Sequence, residues 1–236
     1  MDWSDYDAAL FDLDGVITPT AEVHQRAWGR MFTDFLADHP DVRPYTEDDY
    51  FAHVDGKPRY EGVQSFLASR GIDLPYGDPS DDPEASTVCA LGNRKNDYFS
   101  EVLRTDGVEP YPGSLALLDA LDQRGVRSAL VSSSRNARKV IEAAGVADRF
   151  EVVIDGEVAA AEGIAGKPEP DTYAAAAERL GVPTKRSVVL EDAVSGVQAG
   201  AAGDFGLVIG VDRGAGADVL REHGADLVVA DLAELL

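Results

Sequence analysis

Two carboxylates with a single residue between them, Asp12 and Asp14, follow the apolar run Ala8 to Phe11 and precede a glycine in the stretch FDLDGVIT. In an extended segment alternate residues point the same way. The two carboxylates therefore leave one side of the backbone where Gly15 lets the chain turn. Charges that close raise each other's pKa unless a cation or a reacting phosphate uses both. Alone, such a pair equally suits an acidic turn. Three further stretches add to it: SSSRN at Ser132 to Asn136, GKPEPD with Lys167, and the pair Glu191-Asp192. A hydroxyl, an ammonium and four carboxylates suit a phosphate and a hard divalent cation, the acids taking the cation, lysine and serine the phosphate oxygens. Pro168 follows Lys167 where a nucleotide phosphate loop needs Ser or Thr, and DLDG lacks the remaining ligands of a calcium loop.

The surrounding elements explain how residues so far apart could meet. Val23, Ala27, Met31 and Phe35 make an apolar stripe that predicts a helix over Thr20 to His39. A second helical pattern runs through Val63, Phe66 and Leu67 to Gly71, and a third spans Ala85 to Arg104, with the Pro- and Asp-rich Tyr76 to Glu84 as a loop between them. Asp106-Gly107 and Tyr111-Pro112-Gly113 are turn signals that close this helical stretch. Beyond Ser114 the pattern becomes strands alternating with helices: strands at Arg127 to Val131, Val152 to Ile154, Ser187 to Leu190, Leu207 to Val211 and Leu227 to Val229. Helices are expected from Leu115 to Gly125, through Val140 and Ile141, and over Asp171 to Leu180, Val194 to Ala202 and Ala217 to His223. Such alternation predicts an α/β fold, a doubly wound parallel sheet. Residues 1–19 and 109–236 form its core, and residues 20–108 an inserted α-helical cap domain. In such sheets ligands lie beyond the carboxyl ends of the strands. Asp12, Asp14, Ser132, Glu191 and Asp192 all fall at predicted strand ends.

Composition narrows the partners. With 43 acidic against 21 basic residues the formal net charge is -22, which argues against nucleic acid or an anionic membrane. Cys89 is the single cysteine, so no internal disulfide forms. The N-terminal MDWSDYD is acidic where a signal peptide is basic, and no long uncharged apolar run occurs, so a cytoplasmic protein is expected, and a monomer is the default expectation beside it.

The four motifs, in this order, resemble those of the haloacid dehalogenase superfamily of phosphatases and phosphomutases: FDLDGV, LVSSS, the lysine of GKPEPD, and LEDAVSG. The resemblance implies a Rossmann-like core, Mg²⁺ as cofactor, Asp12 as the nucleophile that takes the phosphoryl group, and Asp14 as general acid and base. It implies that Ser132, Ser133 and Lys167 bind the transferring phosphate, and that Asp12, the Asp14 carbonyl, Glu191 and Asp192 surround the metal. TAEVHQRAW, GKPR and RKND further resemble the β-phosphoglucomutase-like subfamily. By that resemblance Arg59, Ser134, Arg135 and Asn136 bind a distal phosphate, Thr20 and His24 lie near Asp14, and Lys95 and Asn96 contact the sugar. The implied reaction interconverts β-glucose 1-phosphate and glucose 6-phosphate; hydrolysis of a small sugar phosphate is the alternative. Pro19, where the subfamily usually has Asp, and extra residues around Asp38 to Tyr45 and Tyr76 to Glu84 depart from the pattern.

Overall fold

A computed structural model describes residues 1–236, apart from the side chains of Ala21 and Asp106. By its internal contacts the chain divides into two compact units, Met1–Thr20 with Val108–Leu236, and Ala21–Gly107. In chain order the elements are β1 (Ala8–Phe11), α1 (Thr20–Leu36), α2 (Glu47–His53), α3 (Arg59–Ser69), α4 (Val88–Asp106), α5 (Pro112–Arg124) and β2 (Arg127–Val131). They continue as α6 (Ala137–Ala143), β3 (Val152–Ile154), α7 (Gly156–Glu162), α8 (Asp171–Leu180), β4 (Ser187–Glu191), α9 (Val194–Ala202), β5 (Leu207–Val211), α10 (Ala217–Glu222) and β6 (Leu227–Val229).

The first unit is the predicted doubly wound sheet. Its six strands lie in the order β3-β2-β1-β4-β5-β6, all parallel. Phe11 pairs with both Leu130 and Leu190, so the carboxyl ends of β1, β2 and β4 finish level. Every residue of β1 and β4 is buried, which is why Ala8 to Phe11 and Val188 to Leu190 read as unbroken apolar runs rather than alternating ones. Helix α8 packs across β1, β2 and β3, while α9 packs on β4 and β5 and α10 on β5 and β6. Tyr173, Ala176, Ala177 and Leu180 bring the apolar side of α8 into the core with Leu10, Val131 and Val189.

The second unit is helical. Trp28, Met31, Phe32, Tyr60, Phe66, Leu67, Cys89 and Leu91 form its core, where Phe32 and Phe66 stack at 3.8 Å between ring centres. Asp49 caps α2 by accepting from the Thr46 N–H at 2.9 Å, and it also receives Arg43 at 2.6 Å and the buried Arg70. No described helix is long and apolar enough to cross a membrane.

Boundaries differ from the pattern where local hydrogen bonding decides them. Helix α1 stops at Leu36, three residues short of the expected end, as the His39 N–H closes a turn on the Leu36 carbonyl. Helix α4 starts at Val88 rather than Ala85, because the Thr87 hydroxyl accepts from the Ala90 N–H at 3.0 Å and fixes the N-terminus. Helix α7 has no counterpart in the pattern. Asp155 caps it through the N–H groups of Glu157 and Val158, and Gly163 ends it, a pair of signals that its short Ala run concealed.

Candidate active site

Three adjacent strands deliver the polar residues. Just past β1 the Asp12 N–H still donates to the Leu190 carbonyl, at 2.9 Å, so Asp12 is held in strand register beside the end of β4. Ser132 follows β2 in the same way, its N–H donating to the Ile154 carbonyl. Lys167 reaches this rim from the loop before α8 and is only 2% exposed. Its Nζ donates to Asp12 Oδ1 at 2.5 Å, Glu191 Oε1 at 2.6 Å and the Val131 carbonyl at 3.2 Å, joining all three strand ends. Glu191 is further held by the Tyr173 hydroxyl at 3.2 Å and by the Ala193 N–H at 2.8 Å.

Carboxylate oxygens of Asp12, Glu191 and Asp192 lie within 4.8 Å of one another. One ammonium cannot neutralise so many acids. Burial pushes the Asp12 carboxyl well above the usual range, against the pull of Lys167, and the charges of Glu191 and Asp14 add to the rise. An all-oxygen set short of positive charge is the chemistry of a hard divalent cation. Two glycines make the crowding possible. A Cβ on Gly15 would stand 2.5 Å from Asp192 Cγ, and one on Gly196 would stand 2.6 Å from Glu191 Cγ.

Asp14 sits in the turn after β1, in a different setting. Its Oδ1 accepts from the Thr20 hydroxyl, which is itself 2.7 Å from the Thr18 hydroxyl. The turn closes through Gly15 N–H to the Thr18 carbonyl at 2.8 Å, with Gly15 at φ +79°. Beyond β2, the hydroxyls of Ser132 and Ser134 accept from the N–H groups of Ser134 and Asn136, both at 3.1 Å. These serines shape the loop and do not cap α6, whose N-terminal flank is Asn136. Ser133 and Arg135 lie in the same loop, pressed against Gly156, where a Cβ would stand 2.5 Å from the Ser133 carbonyl oxygen.

In the helical unit, Arg59 and Tyr60 open α3. Arg59 donates to Asn96 Oδ1 at 2.8 Å. Lys95 is 3% exposed and hydrogen-bonds His24 Nδ1; an ammonium has only donors, so Nδ1 accepts and the imidazole proton is on Nε2. Burial, then Lys95, then Arg59 hold the His24 pKa well below its ordinary value, and its ring stacks on Phe99. His24, Arg59, Lys95 and Asn96 thus form one cluster within this unit. Arg94, next to it, anchors the Tyr76 to Glu84 loop through two bonds to the Pro83 carbonyl.

Comparison with known proteins settles the family. A family model described as haloacid dehalogenase-like hydrolase matches residues 6–204. The chain belongs to the haloacid dehalogenase-like hydrolases. It is 48% identical over 97% of its length to a protein of Mycobacterium bovis named beta-phosphoglucomutase, covering 91% of that protein. It is 34% identical to the beta-phosphoglucomutase of Bacillus subtilis, across 96% of this chain and 94% of that one. Among solved structures, a beta-phosphoglucomutase from Clostridium difficile superposes with a TM-score of 0.77 at 24% identity, over 98% of this chain and 93% of that one. The similarity to that structure concerns the fold.

As a haloacid dehalogenase-like hydrolase the chain is an enzyme, a phosphomutase or a phosphatase. Several residues around its strand ends carry no sequence signal of their own. In the sequence Tyr173 is one apolar position of α8, and Arg213 a charge after β5. Arg213 in fact donates to the Gly15 carbonyl at 2.8 Å. Asp155 was legible in principle, since it follows β3 as Asp12 follows β1; it is 1% exposed and paired with Arg138 at 3.1 Å.

Proposed function

We propose that this enzyme is a Mg²⁺-dependent phosphomutase that interconverts β-glucose 1-phosphate and glucose 6-phosphate. The observation that carries the reading is the pair of carboxylates two residues apart in opposite settings. Asp12 is buried against Lys167, while Asp14 is partly exposed and held by a hydroxyl. Two acids with different surroundings can take different roles.

Asp12 is the nucleophile, its carboxylate forming an aspartyl phosphate that divides one difficult displacement into two. The phospho-Asp12 passes its phosphoryl group to the 6-hydroxyl of β-glucose 1-phosphate, and Asp14 accepts the proton of that hydroxyl. The resulting 1,6-bisphosphate reorients and returns its 1-phosphoryl group to Asp12. Asp14 then protonates the leaving oxygen, and glucose 6-phosphate departs. Lys167, Ser132 and Ser133 offer donors to the transferring phosphate. Arg59 presents a planar fork to the second phosphate, a role that Ser134, Arg135 and Asn136 share, while Lys95 and Asn96 meet the sugar. Asp12, Glu191, Asp192 and the Asp14 carbonyl would hold Mg²⁺, Glu191 also anchoring Lys167. The bound cation supplies charge neutralisation between the attacking carboxylate and the phosphate.

A second reading, hydrolysis of a small sugar phosphate, is favoured by the family model's own description as hydrolase. The deciding experiment supplies purified protein with Mg²⁺, β-glucose 1-phosphate and a trace of the 1,6-bisphosphate, following glucose 6-phosphate and free phosphate together. Rapid glucose 6-phosphate with little free phosphate is the expected result. Free phosphate without isomerisation would replace the mutase with the phosphatase.

A further inference from the structure

Arg213 stands two residues beyond β5 and belongs to none of the groups given a chemical role. Its Nε donates to the Gly15 carbonyl at 2.8 Å, and one terminal nitrogen donates to the Ala230 carbonyl at 3.0 Å. The guanidinium lies 3.9 Å over the ring of Tyr111, and its other terminal nitrogen is buried with no hydrogen-bond partner among the described residues. A buried donor left unsatisfied is costly, so the remaining contacts must hold the side chain in place. The position is set by the two carbonyls and the ring.

Three successive carbonyls of the turn after β1 are tied to this neighbourhood. Arg213 takes that of Gly15, the Ser114 hydroxyl takes that of Val16 at 2.6 Å, and the Tyr111 N–H takes that of Ile17 at 2.9 Å. Gly15 has no Cβ and sits at φ +79°, so its two flanking peptides need separate restraints. The Gly15 N–H bond to Thr18 fixes the Asp14–Gly15 peptide, and Arg213 fixes the next.

We propose that Arg213 is a positioning residue: by clamping the Gly15 carbonyl it sets the direction of the Asp14 carboxylate and carbonyl in the preceding residue. The inference rests on the reading of Asp14 as general acid and base. Arg213 acts through the backbone and touches no substrate.

The test compares Arg213→Gln and Arg213→Lys with Arg127→Ala, which removes a tie of β2 to Glu151 and Leu180 far from the turn. Amide hydrogen exchange of Leu13 to Thr18 is measured in metal-free protein, and kcat and KM in the complete assay. Arg213→Gln should speed exchange in that segment, leave β1 unchanged, and lower kcat about tenfold with KM within about twofold. Arg213→Lys, which keeps a donor for Gly15, should recover part of the loss. Wild-type exchange in the segment overturns the proposal. So does a kcat loss no larger than that of Arg127→Ala, or a raised KM with kcat preserved. Should Arg213→Gln fail to fold, Arg213→Lys and Tyr111→Leu carry the same comparison. Failure of the Asp14 reading is seen separately, as wild-type protein without phosphoryl transfer, while exchange still reports the clamp.

Discussion

Replacing Gly15 with alanine tests whether the space beside Asp192 matters to catalysis. The new Cβ would stand 2.5 Å from Asp192 Cγ, and carbon atoms rest at about 3.5–4 Å, so the carboxylate must retreat by roughly 1 Å. A misplacement of that size is worth about a hundredfold in rate, or roughly 2.7 kcal/mol of barrier. The left-handed φ of +79° adds backbone strain of about 1–2 kcal/mol, which lowers the melting temperature by roughly 2–8 °C in a chain of this size. Gly125 separates the two effects. It has φ +72°, and a methyl group added there would meet nothing within 4 Å, so Gly125→Ala should lose the same stability and keep its activity. The assay is steady-state turnover with melting curves of both variants. If Gly15→Ala retains a third or more of wild-type kcat, or Gly125→Ala loses as much, the argument from crowding at Asp192 fails.

Removing divalent cations with EDTA should abolish turnover, and Mg²⁺ should restore it; full activity after chelation would reject the reading of the Asp12, Glu191 and Asp192 cluster. Arg59→Ala should cut isomerisation of β-glucose 1-phosphate at least about tenfold more than any hydrolysis of a monophosphate, as the loss of a bidentate donor implies, and equal losses would count against the second-phosphate role. Asp49 gives a pH prediction for stability. Burial would raise its carboxyl, but Arg70, Thr46 and Arg43 outweigh that and bring it to about 2 from an ordinary 3.8. The stabilisation is therefore present above pH 3.8 and lost as pH falls through about 2. It amounts to about 2 kcal/mol, and unfolding of wild type and Asp49→Asn should differ by at least that at about pH 6 and converge in acid. A gap independent of pH would exclude the ion pairs as its source.

The alternation of strands and helices was legible because Gly and Pro punctuate it and because buried strands leave short apolar runs. Asp12 and Glu191 could be singled out since each stands at the end of such a run, and Lys167 by its place in the GKPEPD loop ahead of a helix. Chemistry at a strand end has a local signature. Tyr173 and Arg213 have none. Arg213 meets Gly15 across 198 residues, and nothing in VDRG distinguishes a guanidinium that clamps a carbonyl from one in solvent. Helix α7 was hidden for the opposite reason, being too short for periodicity, so that only its caps, Asp155 and Gly163, marked it. In the helical unit, the pattern located α3 and α4 but not the pairing of His24 with Lys95, which depends on how two helices face each other.

The level ends of β1, β2 and β4 also impose an order on biosynthesis. Lys167 follows Asp12 by 155 residues, which at about 5–20 residues per second takes on the order of ten to thirty seconds to emerge. Throughout that interval β1, the apolar middle of the finished sheet, lacks at least one of its neighbours. Ala21–Gly107 is one continuous stretch with its own aromatic core, and it can fold while the strand waits. A nascent chain halted before Ser187 would carry a folded helical unit and a β1 still without β4, and that open strand edge is where a chaperone would be needed.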